Sequence, residues 1–158
     1  TVEDYKLWFD LKNATKFTAL AEALVDYRHV EAGLSKTAES DFDARYAVTA
    51  SIFQSFIKDL DLENSEKENR IHFILGLNER LKNCNLSAID YFDYIEKILN
   101  ANSKVELFDH KSMSKLISKK AMVITYTKLK YGDLGVLSII FHRLFWKSIG
   151  QGLSGGYK

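Results

Sequence analysis

The chain has 158 residues, 46% apolar and 27% charged, the balance of one globular domain with a single core rather than of a disordered chain. Its 22 basic and 21 acidic side chains nearly cancel, which argues against a nucleic-acid binder working through a large positive field but leaves room for a local basic groove. One cysteine, Cys84, excludes an internal disulfide framework and a cysteine-rich zinc site.

Proline is absent. Because proline breaks helix interiors and is common in turns, its absence fits a mostly helical domain with short connections. Residues 2–11 place Tyr5, Leu7, Trp8 and Leu11 near one helical face, before Asn13, Ala14 and Thr15 interrupt the pattern. Phe17, Leu20, Ala21, Leu24 and Val25 recur at i, i+3, i+4, i+7 and i+8, which predicts a second amphipathic helix that frays near His29 and stops or turns at Gly33. A polar loop is expected over 35–43. The stretch Phe42-Asp43-Ala44 can open as a short strand, passing into a helix with Ile52, Phe53, Phe56, Ile57 and Leu60. After a charged connection over 61–67, residues 70–81 read as a helix with Ile71, Ile74, Leu75 and Leu81 near one face. Gly76 weakens it and Asn78 interrupts its stripe. Ser87 and Asp90 make a capping-box pattern ahead of Tyr91, Ile95, Ile98 and Leu99.

Residues 111–130 read as basic on one face and apolar on the other; Gly132 and Gly135 bracket a turn, and residues 136–146 predict an apolar helix. That last stretch is too short to span a membrane, and His142 and Arg143 make it too polar. No secretory or Arg-rich transit pattern is expected at the start, and the glycine-rich residues 150–158 are expected to form a flexible tail. The expected fold class is mainly α: a single helical domain over 1–149, with about six helices and at most a short strand near Phe42–Ala44.

Asp41 and Asp43 occupy alternate positions. In an extended segment both carboxylates would point to one side, an arrangement that can hold Mg²⁺ against a phosphate-bearing substrate; a polar loop is the plainer alternative. Lys111, Lys115 and Lys119 recur every four residues with Lys120 beside them, and Tyr126 falls on their face two turns beyond Lys119. Such a row suits a triphosphate or a nucleic-acid backbone, or is a solvated surface beside a core tyrosine. His29, His72, His110 and His142 match no HExxH spacing and read as surface or satisfied core histidines. Cys84 reads as a structural cysteine, and Asp90, Asp93 and Glu96 as a solvated acidic stripe rather than a cation site. No Rossmann or P-loop glycine pattern occurs.

The order of these signals is more informative than any one of them. Trp8, followed by Asn13-Ala14-Thr15-Lys16-Phe17-Thr18-Ala19-Leu20-Ala21-Glu22-Ala23-Leu24, resembles the helix before the palm of single-subunit RNA polymerases, the phage, mitochondrial and linear-plasmid family. After a linker of similar length, Phe42-Asp43-Ala44 resembles motif A, which would make Asp43 the catalytic, metal-binding aspartate. Asn85-Leu86-Ser87-Ala88-Ile89-Asp90-Tyr91 resembles a helix start of the same family. The run from Ser114 to Tyr126 resembles motif B on the fingers helix, with a one-residue deletion between Met122 and Tyr126. The resemblance gives Lys115 the place of the motif arginine, Lys119 that of the triphosphate-binding lysine, and Tyr126 that of the tyrosine at the nucleotide site.

Departures from the family pattern set the functional expectation. Arg45-Tyr46-Ala47-Val48 stands where the family has Ser-Gly-x-Gln, Thr127 replaces the glycine after the tyrosine, and no His-Asp motif C is present. Two-metal nucleotidyl transfer needs both aspartates to hold its ions, so this chain alone is not expected to polymerise RNA. The expected function is a non-catalytic interaction or structural subunit resembling part of such a polymerase, with no cofactor for the isolated chain. The alternative is one piece of a split polymerase, active with a partner chain that supplies the second aspartate; Mg²⁺ and nucleic acid enter only there. Because Ile139, Ile140, Phe141, Leu144, Phe145 and Trp146 wrap most of one helix, residues Ile140, Phe141, Leu144, Phe145 and Trp146 are expected to dock on a protein partner or larger assembly. The resemblance alone suggests a mitochondrial setting.

Overall fold

The computed structural model describes residues 3–12, 14–18, 20–26, 41–83 and 85–142, and every regular element among them is helical. The α-helices are α1 (Glu3–Leu11), α2 (Phe42–Asp59), α3 (Glu66–Leu75), α4 (Ala88–Val105) and α5 (His110–Lys130), with 3-10 helices at Asn78–Asn83 and Leu134–Phe141. Two compact units divide the chain, Thr1–Gln54 and Ser55–Lys158, and their boundary falls inside α2. None of the helices described is long and apolar enough to cross a membrane.

In the first unit, α1 closes with Ala14 and Thr15 both donating to the Leu11 carbonyl at 3.0 Å. The helix predicted from the Phe17–Val25 periodicity is not formed, because residues 15–18 and 20–26 are irregular. Phe17 meets the edge of Trp8 with ring centroids 5.3 Å apart, whereas Leu20, Leu24 and Val25 stay exposed. A helix this short is marginal in water unless its apolar face is packed, so periodicity without a packed face does not suffice. His29, Gly33 and the loop residues 35–40 lie outside the described residues.

The short strand considered at Phe42–Ala44 is instead the first turn of α2. Asp41 decides this locally: its Oδ1 accepts from the Ala44 N–H at 3.0 Å, and its carbonyl accepts from the Arg45 N–H at 3.0 Å. Those are the bonds of an N-cap, and Asp43 in the first turn adds a favourable charge at the positive helix end. Ile52 and Phe53 are buried further along.

In the second unit, α2 ends in a Schellman motif. The Leu62 N–H reaches back to the Ile57 carbonyl at 3.1 Å and the Asp61 N–H to Lys58 at 2.9 Å, with Asp61 in the left-handed region at φ 53°. Ser65 and Glu68 form a reciprocal capping box at the start of α3, which therefore begins inside the predicted charged connection. The predicted 70–81 helix is divided at Gly76: α3 stops at Leu75 and a 3-10 helix carries Leu81 into the core. Arg80 holds this break, donating to the Phe73 carbonyl at 2.6 Å while its guanidinium lies 3.8 Å from the Phe73 ring centroid.

The central element of this unit is α4, which packs against α3, α5 and the C-terminal 3-10 helix. Its capping box, Ser87 with Asp90, is formed as predicted, and Tyr91, Phe92 and Ile95 are fully buried. Asn102, also buried, fixes the turn into α5 by donating to the Phe108 carbonyl at 3.0 Å and accepting from the Phe108 N–H at 2.9 Å. At the far end of α5 a second Schellman motif places Gly132 at φ 76°. The Asp133 N–H bonds the Lys128 carbonyl and the Gly132 N–H that of Leu129, both at 3.0 Å.

The apolar helix predicted over 136–146 is a 3-10 helix, Leu134–Phe141, which ends before His142. In 3-10 geometry residues three apart eclipse. Val136 and Ile139 accordingly share the buried side, and Leu137 is exposed. The expected all-round apolar surface is thus partly internal core. Leu144, Phe145 and Trp146, and the side chains of Ile140 and Phe141, lie outside the described residues, as do Cys84 and residues 150–158.

Candidate functional site

Helix α5 holds six lysines and no acidic residue. Side chains at 3.6 residues per turn sort these lysines into two sets. Lys111, Lys115, Lys119 and Lys130 are exposed. Lys120 and Lys128 turn toward the protein: the Lys120 ammonium donates to Asn78 Oδ1 at 2.8 Å, and its pKa is lowered by burial against an opposing pull from Glu79. Lys128 is buried. Its ammonium donates to the Leu86 carbonyl at 2.7 Å, stands 3.7 Å from Asp133 and lies 5.6 Å from the Tyr91 ring centroid.

The expected division of this helix into a basic face and an apolar face is corrected by the side chains that are buried. The packed face carries Ser114, Ser118, Ala121, Ile124, Thr127 and Lys128. Small side chains let α5 approach its neighbours closely, and hydroxyls can bond back to the preceding turn, as Ser118 does to the Ser114 carbonyl at 2.8 Å. The outer face then carries Leu116, Met122, Tyr126 and Leu129 among its lysines, with Tyr126 66% exposed. Lys115, Lys119 and Tyr126, the predicted nucleotide-binding set, do share this open face. Among the described residues no salt bridge is made by Lys115, Lys119 or Lys130.

Asp43, the predicted catalytic and metal-binding residue, is exposed in the first turn of α2 and belongs to the other unit. Since Phe42–Ala44 is helical, Asp41 and Asp43 do not point to one side; two residues of helix separate them by roughly 200°, and the Asp41 carboxylate is taken up by the cap. Among the described residues no group of three His, Cys, Asp or Glu side chains could hold a metal ion.

The acidic residues at 90, 93 and 96 divide among separate tasks. Asp90 closes the Ser87 box and pairs with Lys67 at 2.8 Å; its pKa is lowered because those hydrogen bonds and the Lys67 charge outweigh partial burial. Asp93 and Glu96 both face His142 Nε2 at 3.3 Å, and the His142 ring stands edge-on to Phe92 with centroids 5.4 Å apart. A cleft of about 450 Å³ beside them is lined by Asp61, Lys97 and Lys104 as well as Asp93 and Glu96. Its charges are of both signs, and Lys97 is already held by Glu68 at 2.6 Å and the Glu63 carbonyl at 2.8 Å.

One cluster is not legible in any motif. Tyr94 accepts a hydrogen bond from Asn64 Nδ2 at 3.0 Å, and its oxygen lies 2.8 Å from His72 Nδ1. Burial lowers the His72 pKa to about 4 and raises that of Tyr94, so near neutrality the imidazole is uncharged and the phenol protonated. The phenol can then donate to the bare Nδ1. Rings of Phe56 and Tyr94 pack on His72 at 5.4 and 5.9 Å between centroids, which makes it the satisfied core histidine that sequence reading expects. Its partners Phe56 and Tyr94 are 16 and 22 residues away, with no spacing signature to announce them.

No protein-family model, curated protein or solved structure matches the chain.

Proposed function

We propose that the chain is a non-catalytic interaction subunit, resembling part of a single-subunit RNA polymerase, whose second unit presents α5 to a protein partner. The supporting observation is the open apolar run Met122, Tyr126 and Leu129 along the outer face of a helix whose opposite face is already packed. Large apolar side chains gathered on one helix face of a folded unit gain free energy by leaving water, about 25 cal/mol per Å² buried, and such patches mark interaction sites.

A split polymerase remains the second reading because Lys115, Lys119 and Tyr126 share one face, as triphosphate binding would need. Against it stands the geometry of Asp43, on the first helical turn of α2 where it and Asp41 point apart, and among the described residues no group of three or more His, Cys, Asp or Glu side chains could hold a metal ion. The test is the native mass of the protein from its source, with nucleotide incorporation measured on the same fraction. The interaction reading predicts a complex larger than the monomer and no incorporation sensitive to Asp43→Ala. A monomeric native species refutes it. Incorporation that needs a second chain and is abolished by Asp43→Ala establishes the split enzyme instead.

A further inference from the structure

The cleft of about 450 Å³ in the second unit lies between the turn that closes α2 and one face of α4, and none of its lining residues belongs to α5. Leu60 and Ala101, both buried, and the more open Val105 give it an apolar lining. Charged groups follow one another along α4 in order of sign. Asp93 and Glu96 come first, then Lys97 and, two turns on, Lys104. From residue 93 to residue 104 the axial distance is about 16 Å, at roughly 1.5 Å per residue. Asp61 adds a carboxylate from the α2 turn, on backbone in the left-handed region at φ 53°.

Two features distinguish these charges from an ordinary solvated surface. Some are already fixed. The Lys97 ammonium donates to the Glu63 carbonyl at 2.8 Å and to Glu68 at 2.6 Å, which orders the side chain and uses two of its three donors. Asp93 and Glu96 are held one turn away against His142 Nε2, each at 3.3 Å. An ammonium and two carboxylates therefore stand in place before any ligand arrives, which lowers the ordering cost of binding. Others are apart. Asp61 and Lys104 line the same cleft with opposite charges, yet among the described residues neither makes a salt bridge.

We propose that this cleft binds a small zwitterion with an apolar body, its ammonium toward Asp93 and Glu96 and its carboxylate toward Lys97 and Lys104. Apolar amino acids and short peptides with free termini share that chemistry. Their apolar part leaves water against Leu60, Ala101 and Val105, and the volume falls within the roughly 300–1,000 Å³ of small-molecule sites. A simple anion such as phosphate meets the carboxylates of Asp61, Asp93 and Glu96, and a diamine meets Lys97 and Lys104. An uncharged ligand would displace water from groups of both signs without replacing it. A metal ion lacks a donor set, because among the described residues no group of three His, Cys, Asp or Glu side chains could hold one. The site is separate from the α5 face and does not depend on the interaction reading.

The experiment titrates the isotope-labelled full chain and follows its backbone amides by NMR. The probes are leucine, the tripeptide alanyl-leucyl-alanine, the same tripeptide acetylated and amidated at its ends, inorganic phosphate, and putrescine. Leucine or the free tripeptide is expected to shift the amides of Asp61, Leu62, Asn100 and Ala101 saturably, with a dissociation constant of about 1 mM or below. Which of the two binds tells a free amino acid from a peptide as the source of the zwitterion. Blocking both termini should weaken binding by about fivefold or more, and so should Lys104→Glu or Asp93→Asn. Lys82→Glu, the same change in charge as Lys104→Glu but outside the cleft, should leave it unchanged. Thermal melts check that each variant is folded; Lys104→Gln and Asp61→Asn replace any that is not, since asparagine tolerates a positive φ. Equal binding of the blocked tripeptide, tighter binding of phosphate or putrescine, or indifference to the cleft substitutions overturns the proposal. So does the absence of saturable shifts with either zwitterion up to about 20 mM. The native mass, which tests the interaction reading, has no bearing on this outcome.

Discussion

Burial against Phe56 and Tyr94 holds the His72 pKa at about 4, below its ordinary value of 6.5, and that difference makes stability depend on pH in a defined window. The unfolded chain takes up a proton on His72 as pH falls through 6.5, whereas the folded chain does so only near 4. The unfolded state therefore binds more protons in between, and stability drops as the solution is acidified. Integrating this difference from pH 7 to pH 5 gives a loss of about 2 kcal/mol attributable to His72. The carboxylates whose pKa values are lowered, Glu68, Asp90 and Asp109, contribute stability that disappears mostly below pH 5, because their unfolded values lie at 4.5 and 3.8. The raised Tyr94 group acts only in alkali. Urea denaturation at pH 7, 6 and 5 of the protein and of His72→Gln isolates the effect, since glutamine keeps a polar partner for Tyr94 and does not titrate. The wild-type protein should lose about 2 kcal/mol more than the variant over that range. Equal losses in the two proteins would show that His72 is not buried in the neutral form, and the reasoning would fail.

Asn102→Ala should destabilise the second unit by about 2–3 kcal/mol, read from the urea midpoint, because it leaves both backbone groups of Phe108 without their buried partner. Gly132→Ala should cost about 1 kcal/mol, since a Cβ there meets nothing within 4 Å and the penalty is the backbone's alone at φ 76°. Asp41→Ala should lower α2 stability by about 1 kcal/mol through loss of the cap bond to Ala44. Asp43→Ala should lower it by only a few tenths, through the first-turn charge. Thermal melts of the two variants side by side separate a helical from an extended Phe42–Ala44, because an extended segment gives Asp41 no cap to lose.

What the sequence makes legible here follows from how local each determinant is. The Ser87 and Asp90 box and the turn at Gly132 rest on residues within a few positions of one another, and they are present at those sites; Gly76 reads only as weakening a helix over 70–81, whereas the helix ends there. The Phe17–Val25 pattern has an equally clear period, but helix formation there needs a surface to cover Leu20, Leu24 and Val25, and period alone does not supply one. Residues 134–141 fail for a different reason. An apolar run is compatible with α or 3-10 geometry, and the Asp133 cap followed by an eclipsed Val136 and Ile139 selects the tighter form.

The lysines of α5 expose the same limit at the candidate site. Counting in fours groups Lys111, Lys115 and Lys119 correctly. Lys128 lies roughly 180° from Lys119 around the helix, so the wheel does predict that one lysine points the other way. What it cannot predict is that a buried ammonium there is tolerable, which depends on the Leu86 carbonyl and Asp133 arriving from elsewhere in the chain. Once Lys128, Ser114, Ser118 and Thr127 take the packed side, Met122, Tyr126 and Leu129 are left facing water. The helix thus buries Ser114, Ser118, Thr127 and Lys128 beside Ile124 and exposes Leu116, Met122, Tyr126 and Leu129 among its lysines, which blurs the division expected of an isolated surface helix. Those exposed apolar side chains are intelligible if the outer face is itself a binding surface, which is why they, rather than the lysine row alone, favour the interaction reading.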